Sequence, residues 1–451
     1  MTLNPAHAAE LDGARLGLGW TIPFVGILLS IALMPLLAPK VWHAHFGKIS
    51  AGWSLATLLP LAVLFGPAVA AGAAWHTLLL EYLPFLIFIG ALYVVASGIH
   101  ISGNLHGAPG LNTTLLAIGA LLASVMGTTG ASMLLISPLI RANDNRRYRV
   151  HTIVFFIFIV ANIGGSLTPL GDPPLFLGFL KGVDFFWTLK HMAGPMLLQL
   201  AVLLPLFYAI DTVLYRRDVA QGLKRDPTPD TPIGLSGKCN FLFLAVLVAT
   251  VVLTGLWRTP RAISIGGVEY SLPGLVRDVV FIVVAMLSLK LTPRSAREAN
   301  QFSWGPIKEV AKIFLGIFLT MAPVIVMLRA GSAGAFAPIV SLVTNAQGEL
   351  NNAMYFWLTG ALSSFLDNAP TYLVFFNLAG GDPSTLMTSL AGTLTAISAG
   401  AVFMGANTYI GNAPNFMVKS IAESRGIAMP GFFGYMAWSI VILLPLFGLT
   451  T

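Results

Sequence analysis

Apolar residues run along this chain in blocks of about twenty, parted by short polar joints, and a helix of that length rises about 30 Å, the depth of a bilayer's hydrocarbon core. Blocks at about 17–38, 51–73, 77–100, 193–215, 239–257, 278–291, 309–329 and 430–449 predict continuous spanning helices. Two more, 148–182 and 384–423, are interrupted. The run Gly164-Gly165-Ser166-Leu167-Thr168-Pro169-Leu170-Gly171-Asp172-Pro173-Pro174 cuts the first, and residues 405–414 cut the second. Two further apolar stretches, 111–141 and 353–380, carry unusual centres at Gly127-Thr128-Thr129-Gly130 and Asp367-Asn368-Ala369-Pro370-Thr371. They predict re-entrant hairpins that enter and leave on one side; a single kinked spanning helix is the alternative for each. The blocks do not alternate with period two, so a bundle is expected and not a barrel. The expected fold class is an all-α integral membrane protein with about ten transmembrane helices, two re-entrant hairpins and two broken helices.

The pattern repeats. A shift of 240 residues lays Gly165 on Gly405, Thr168 on Thr408, Gly171 on Gly411, Asp172 on Asn412 and Pro174 on Pro414. The same shift lays 127–130 on 367–370, so hairpin centre and helix break keep one spacing in both halves. A first repeat over 1–215, a linker over 216–238 and a second repeat over 239–451 follow. Each repeat holds three spanning helices, a hairpin (111–141 or 353–380), a broken helix (148–182 or 384–423) and a final helix. Five crossings is an odd number, so the second repeat is expected to be inverted relative to the first.

Composition removes the soluble classes. Of 451 residues, 56% are hydrophobic and 10% charged, against about a quarter charged in an ordinary soluble domain. Threading the chain through the expected topology puts 18 of its 25 Lys and Arg on one side and seven on the other. Arg141, Arg146, Arg147, Arg149, Arg216, Arg217, Lys224, Arg225, Arg294 and Arg297 are on the rich side. The positive-inside bias makes that side the cytoplasm and places both termini outside, in a bacterial-type inner membrane. The net charge of +7 is accounted for by this asymmetry and calls for no nucleic-acid partner; lipid is the expected surrounding. The start of the chain lacks a cationic region and a cleavage site, so its first apolar block is expected to be retained. The one cysteine, Cys239, excludes an internal disulfide and a multi-cysteine metal cluster. His43 and His45 are expected in a cytoplasmic loop, and His100 and His106 before the first hairpin.

The breaks carry the chemistry. Unwound backbone facing lipid leaves N–H and C=O groups unpaired at several kcal/mol each, so it is tolerated only where protein or a watery cavity covers it. Paired breaks in inverted repeats point to a transporter site near the midplane, with a packing kink as the bland alternative. Only two acids, Asp172 and Asp367, stand at the centre of these elements, and no Lys or Arg does. Buried carboxylates among oxygen donors suit a small hard cation. The candidate ligands are Asp172, Asp367, Thr128, Thr129, Thr168, Ser364, Asn368, Thr371, Asn407, Thr408 and Asn412. Burial penalises the ionised carboxylate, so proton and cation compete for the same groups, which is antiport in outline. Asp172 also has the place of an N-cap before Pro173, a role compatible with the first.

On these residues the chain resembles the ion transporter superfamily. The strings Thr168-Pro169-Leu170-Gly171-Asp172-Pro173-Pro174 and Leu366-Asp367-Asn368-Ala369-Pro370-Thr371 are similar to those of NhaD-type sodium/proton antiporters and the related citrate-transporter group. The resemblance runs over essentially the whole chain. It implies a scaffold, a mobile transport region made of hairpins and broken helices, elevator-like motion and a homodimer. It also implies that Asp172 and Asp367 couple the ions, with Thr168 and the hairpin Thr and Asn residues around them. No cofactor is expected beyond the transported Na⁺ and H⁺. Where NhaD-type antiporters usually follow Gly-Asp with a Thr pair, this chain has Pro173-Pro174, and neither hairpin carries the Ser-Asn-Thr of dicarboxylate members. Symport of citrate or another carboxylate, its charge held by half-helix N-termini, is therefore the alternative.

Two other classes compete poorly. An intramembrane aspartyl protease would also pair two aspartates, yet it calls for Gly-x-Gly-Asp and Tyr-Asp, where this chain has Pro169-Leu170-Gly171-Asp172 and Leu366-Asp367. It also leaves the matching break at Asn412 without purpose. A channel needs a continuous pore, which the hairpins would occlude. A transporter, not an enzyme, is expected.

Overall fold

The computed structural model describes residues 12–222, 231–345 and 349–451, without the side chain of Leu36. Part of the expected linker, with Lys224 and Arg225, and the extreme N-terminus lie outside the described residues. Helices dominate. The first half runs α1 (Ile22–Leu37), α2 (Pro39–Phe65), α3 (Pro67–Thr77), α4 (Leu83–Ala96), β1 (His100–Ser102), α5 (Pro109–Met126), α6 (Thr128–Ala142), α7 (Val150–Ile159), α8 (Pro173–Leu180) and α9 (Phe185–Ala220). After β2 (Gly234–Ser236), the second half runs α10 (Cys239–Leu256), β3 (Ala262–Ile265), β4 (Val268–Ser271), α11 (Leu272–Leu291), α12 (Arg294–Ala299), α13 (Gly305–Arg329) and α14 (Ala337–Leu342). It continues through α15 (Asn352–Phe365), α16 (Asn368–Leu378), α17 (Pro383–Met387), α18 (Ala391–Met404), α19 (Ala413–Ser424) and α20 (Phe432–Gly448).

Among the described residues, eight helical stretches are long and apolar enough to cross a membrane, and α20 is a shorter apolar helix. The chain is an all-α integral membrane protein. The antiparallel ribbons β1–β2 and β3–β4 lie outside the apolar helices. β1–β2 ties the far end of the linker back to the segment before α5.

Several boundaries differ from those expected; α9, α11 and α13, for example, begin at Phe185, Leu272 and Gly305, ahead of 193, 278 and 309. The blocks at 51–73 and 77–100 are replaced by α2 and by a continuous Pro67–Ala96 span in which a π turn, Leu78–Tyr82, joins α3 to α4. The cause is Gly66, at φ +99°, followed by Pro67: glycine takes a left-handed backbone cheaply and proline begins the next helix. Apolar residues continue across that turn, so hydropathy alone could not place it. His43 and His45 consequently sit exposed on α2 and not in a loop. Finally, α9 extends to Ala220, so the first residues of the expected linker are helical.

Packing sorts the helices into two groups. α1 through α4 pack with α10, α11 and α13. The hairpins and broken helices form the other group, α5 lying on the first break and α15 along α18. The halves interlock there: α6 contacts α19, and α16 contacts α8. Outward-facing Val63, Phe433 and Val441 are each more than 70% exposed, which costs nothing against lipid tails.

Candidate functional site

The hairpin tips and the breaks are held by the same hydrogen bonds in both halves. Thr168 Oγ1 donates to Ser124 O at 2.5 Å and accepts from Leu170 N–H at 3.1 Å. Thr408 Oγ1 donates to Ser364 O at 2.5 Å and accepts from Ile410 N–H at 3.2 Å. Ser124 Oγ donates to Gly164 O at 2.5 Å, and Ser364 Oγ to Met404 O at 3.1 Å. Each pair is displaced by 240 residues. Side-chain hydroxyls thus replace the helical bonds that the breaks forgo. Glycine is needed for a related reason: a Cβ at Gly171 would stand 2.1 Å from Gly165 O, and one at Gly411 would stand 2.6 Å from Gly405 O.

Asp172 lies where four of these elements meet. It occupies the N-cap position of α8, but its side chain does not cap the helix. Its Oδ1 instead accepts from Thr128 Oγ1 at 2.9 Å, on the first hairpin, and from Asn412 Nδ2 at 3.1 Å, on the second break. Its Oδ2 accepts from Asn368 Nδ2, on the second hairpin. The residue is 1% exposed. All three partners are neutral.

Asp367 is placed differently. Half-buried at the tip of the second hairpin, it caps α16 by accepting from Ala369 N–H at 3.0 Å. It precedes Asn368 directly and is within electrostatic reach of Asp172. Among the described residues no cationic side chain pairs with either aspartate. Two buried acceptors, Asn368 Oδ1 and Asn407 Oδ1, have no donor among the described residues, an uncommon condition for native polar atoms.

The expected site residues therefore fall into three sets. Thr128, Asn368 and Asn412 touch Asp172 directly. Thr168, Thr408, Ser364 and Thr371 spend their hydroxyls on nearby carbonyls, Thr371 on Asp367 O at 3.0 Å. Asn407 donates to Ser364 Oγ at 2.9 Å, and Thr129 is half-buried one residue beyond Thr128.

Three residues with a part in this arrangement escaped the sequence reading: Ser124, Asn162 and Asn415. Asn162 Nδ2 donates to Ile157 O at 2.8 Å and to Asn415 Oδ1 at 2.7 Å, while its Oδ1 accepts from Asn412 Nδ2 at 3.2 Å. Asn162 and Asn415 are polar residues beside a break, and Ser124 stands 240 residues before the candidate Ser364. Those were the available signals.

A second buried polar cluster lies at the linker end of α9. Arg146 Nη2 is 2.6 Å from Asp211 Oδ1, and its Nε is 3.4 Å from Asp218 Oδ2. His151 Nε2 and Asn112 Nδ2 also reach Asp211, each at 2.8 Å. Arg146, counted above among loop cations, is 3% exposed. It holds the base of the first hairpin to α9.

A family model described as "Putative citrate transport" matches residues 13–451. Among curated proteins, an uncharacterized transporter of Mycobacterium bovis is 25% identical over 336 residues, 71% of each chain. An uncharacterized transporter of Mycobacterium tuberculosis is similar to the same degree. A 46 kDa membrane protein of Mycobacterium leprae is 24% identical over 335 residues, again 71% of each chain.

Proposed function

The chain belongs to the family described as "Putative citrate transport", and from that footing we propose that this transporter exchanges sodium for protons by elevator-type alternating access. Asp172 carries the reading. It is a carboxylate with almost no exposure, set at the crossing of both hairpins and both breaks and bound, among the described residues, by neutral donors alone. An acid in so dry a place is stable with a proton or beside a cation, and costly with neither. Asp367, within reach of its charge, doubles that demand. The buried acceptor Asn368 Oδ1, on the residue whose amide donates to Asp172, adds an oxygen ligand of the kind a small hard cation wants.

In this mechanism sodium and proton displace one another from the Asp172–Asp367 pair. The group of hairpins and broken helices carries the pair past the scaffold of α1–α4, α10, α11 and α13. The linker lies on the cytoplasmic side, both termini outside, and two copies assemble through their scaffolds.

A second reading is proton- or sodium-coupled symport of citrate or another carboxylate. The family's description favours it, and so do the starts of α8 and α19 at the pocket, where helix N-termini attract negative charge. Proteoliposomes loaded with a pH-sensitive dye separate the two. Antiport gives proton release on pulses of Na⁺ or Li⁺ with wild type and none with Asp172→Asn. Citrate uptake without any cation-evoked proton release replaces the first reading by the second.

A further inference from the structure

The two breaks share the threonine and serine hydrogen bonds that frame them and differ at two side chains that decide what they can hold. In the second break the carbonyls of Gly405 and Thr408 converge: each lies 2.8 Å from a single atom, Asn415 Nδ2. Because both are acceptors only, the amide must present its NH₂ to them. Asn162 Nδ2, donating to Asn415 Oδ1 at 2.7 Å, fixes the other end in agreement. Asn415 is fully buried.

In the first break the equivalent position is Leu175, which has no donor. Among the described residues the Thr168 carbonyl takes only the Gly171 N–H, at 3.0 Å, and no side chain donates to Gly165 O or Thr168 O. Gly165 packs against Asp172, whose Cβ would stand 3.2 Å from a Cβ added there. One break thus keeps carbonyls beside an acid, and the other has its equivalent carbonyls closed by an amide and an asparagine, Asn412, in place of the acid.

Converging carbonyls freed by helix unwinding are the groups with which transporters of this construction coordinate cations. We propose that the Asn415 side-chain amide permanently fills the place where the second break would otherwise take a cation, so that the pocket binds one cation, on the Asp172 side, in each cycle. An NH₂ group presents two positive hydrogens to two oxygens and stays. The pocket is two-fold in backbone and single in cargo.

This inference rests on the cation-exchange reading, and the test reads the two separately. Wild type, Asn415→Ala and Asn415→Ser are reconstituted, and proton release is titrated with Na⁺; thermal stability is measured in Na⁺ and in choline. Wild type is expected to respond hyperbolically, with a Hill coefficient of about 1, and the variants sigmoidally, approaching about 2. The variants should also lose stability in choline and regain it in Na⁺, since the cation takes over the uncovered carbonyls. A sigmoidal wild type overturns the proposal, as do hyperbolic variants, variants whose stability ignores Na⁺, or a failure of both to fold in either medium. A wild type without cation-evoked proton release removes the exchange reading itself, and the proposal with it.

Discussion

Asn412 Nδ2 and Asp172 Oδ1, 240 residues apart, meet at 3.1 Å, so equivalent positions of the two halves touch and their breaks form one pocket. Asp172 receives three donors there, and an asparagine has only one acceptor oxygen. Asp172→Asn keeps one acceptor for Thr128 and Asn412 and turns an NH₂ toward Asn368, whose amide can rotate to offer its donor-free Oδ1. We expect the substitution to abolish cation-evoked proton release while leaving stability within about 1 kcal/mol of wild type. Flux in proteoliposomes and thermal unfolding of the purified protein measure the two effects, and a variant that keeps cation-evoked proton release would withdraw Asp172 from the mechanism.

Asp367→Asn separates charge from structure. Asparagine caps a helix about as well as aspartate, and the acceptor for the Ala369 N–H survives the change. The fold should be unaffected within about 0.5 kcal/mol, while exchange is lost because a coupling carboxylate is gone. Retained exchange at the wild-type rate would withdraw Asp367 from the mechanism and leave it a cap.

The breaks were legible in the sequence because glycine, proline and a bare acid are so costly inside an apolar block that they mark themselves, and because the marks recur at one spacing. The site members Thr128, Asn368 and Asn412 were legible too, but their pairings were not. Nothing in the order of residues says which atoms of Asn412 and Asp172 meet or that Asn162 grips Asn415, since these contacts join positions about 250 residues apart. The Gly66-Pro67 turn hid for the opposite reason: hydropathy is blind to a sharp turn flanked by apolar residues on both sides. The burial of Arg146 was not legible either, because a rule that counts charges cannot see Asp211, 65 positions on, which pairs with it.

Gly178 and Tyr372 test how the second hairpin seats on the first broken helix. A Cβ at Gly178 would stand 2.3 Å from Tyr372 Oη, and the ring, 1% exposed, has nowhere to retreat. Gly178→Ala should cost about 1–3 kcal/mol by overpacking. Removing the hydroxyl in a Gly178→Ala, Tyr372→Phe double variant should recover part of that loss. Thermal unfolding of the four proteins closes the cycle; strictly additive effects would mean that α8 and α16 do not meet at this point.

Arg146 and Arg147 are neighbours with opposite prospects. Arg146 is buried between Asp211 and Asp218, whereas the Arg147 guanidinium donates to the exposed side chain of Gln221, at 3.2 Å. Arg146→Met removes what is, among the described residues, the sole cationic side chain of fixed charge paired with those two carboxylates. Stripping a buried ion pair of one partner costs about 3–5 kcal/mol, so the variant should be poorly folded or recovered in low yield. Arg147→Met should stay within about 0.5 kcal/mol of wild type. Replacing Arg146, Asp211 and Asp218 together by Met, Asn and Asn should restore much of the loss, because no uncompensated charge is then buried. Size-exclusion profiles and thermal unfolding of the three variants decide it: equal behaviour of Arg146→Met and Arg147→Met would mean that Arg146 is a solvated loop cation after all.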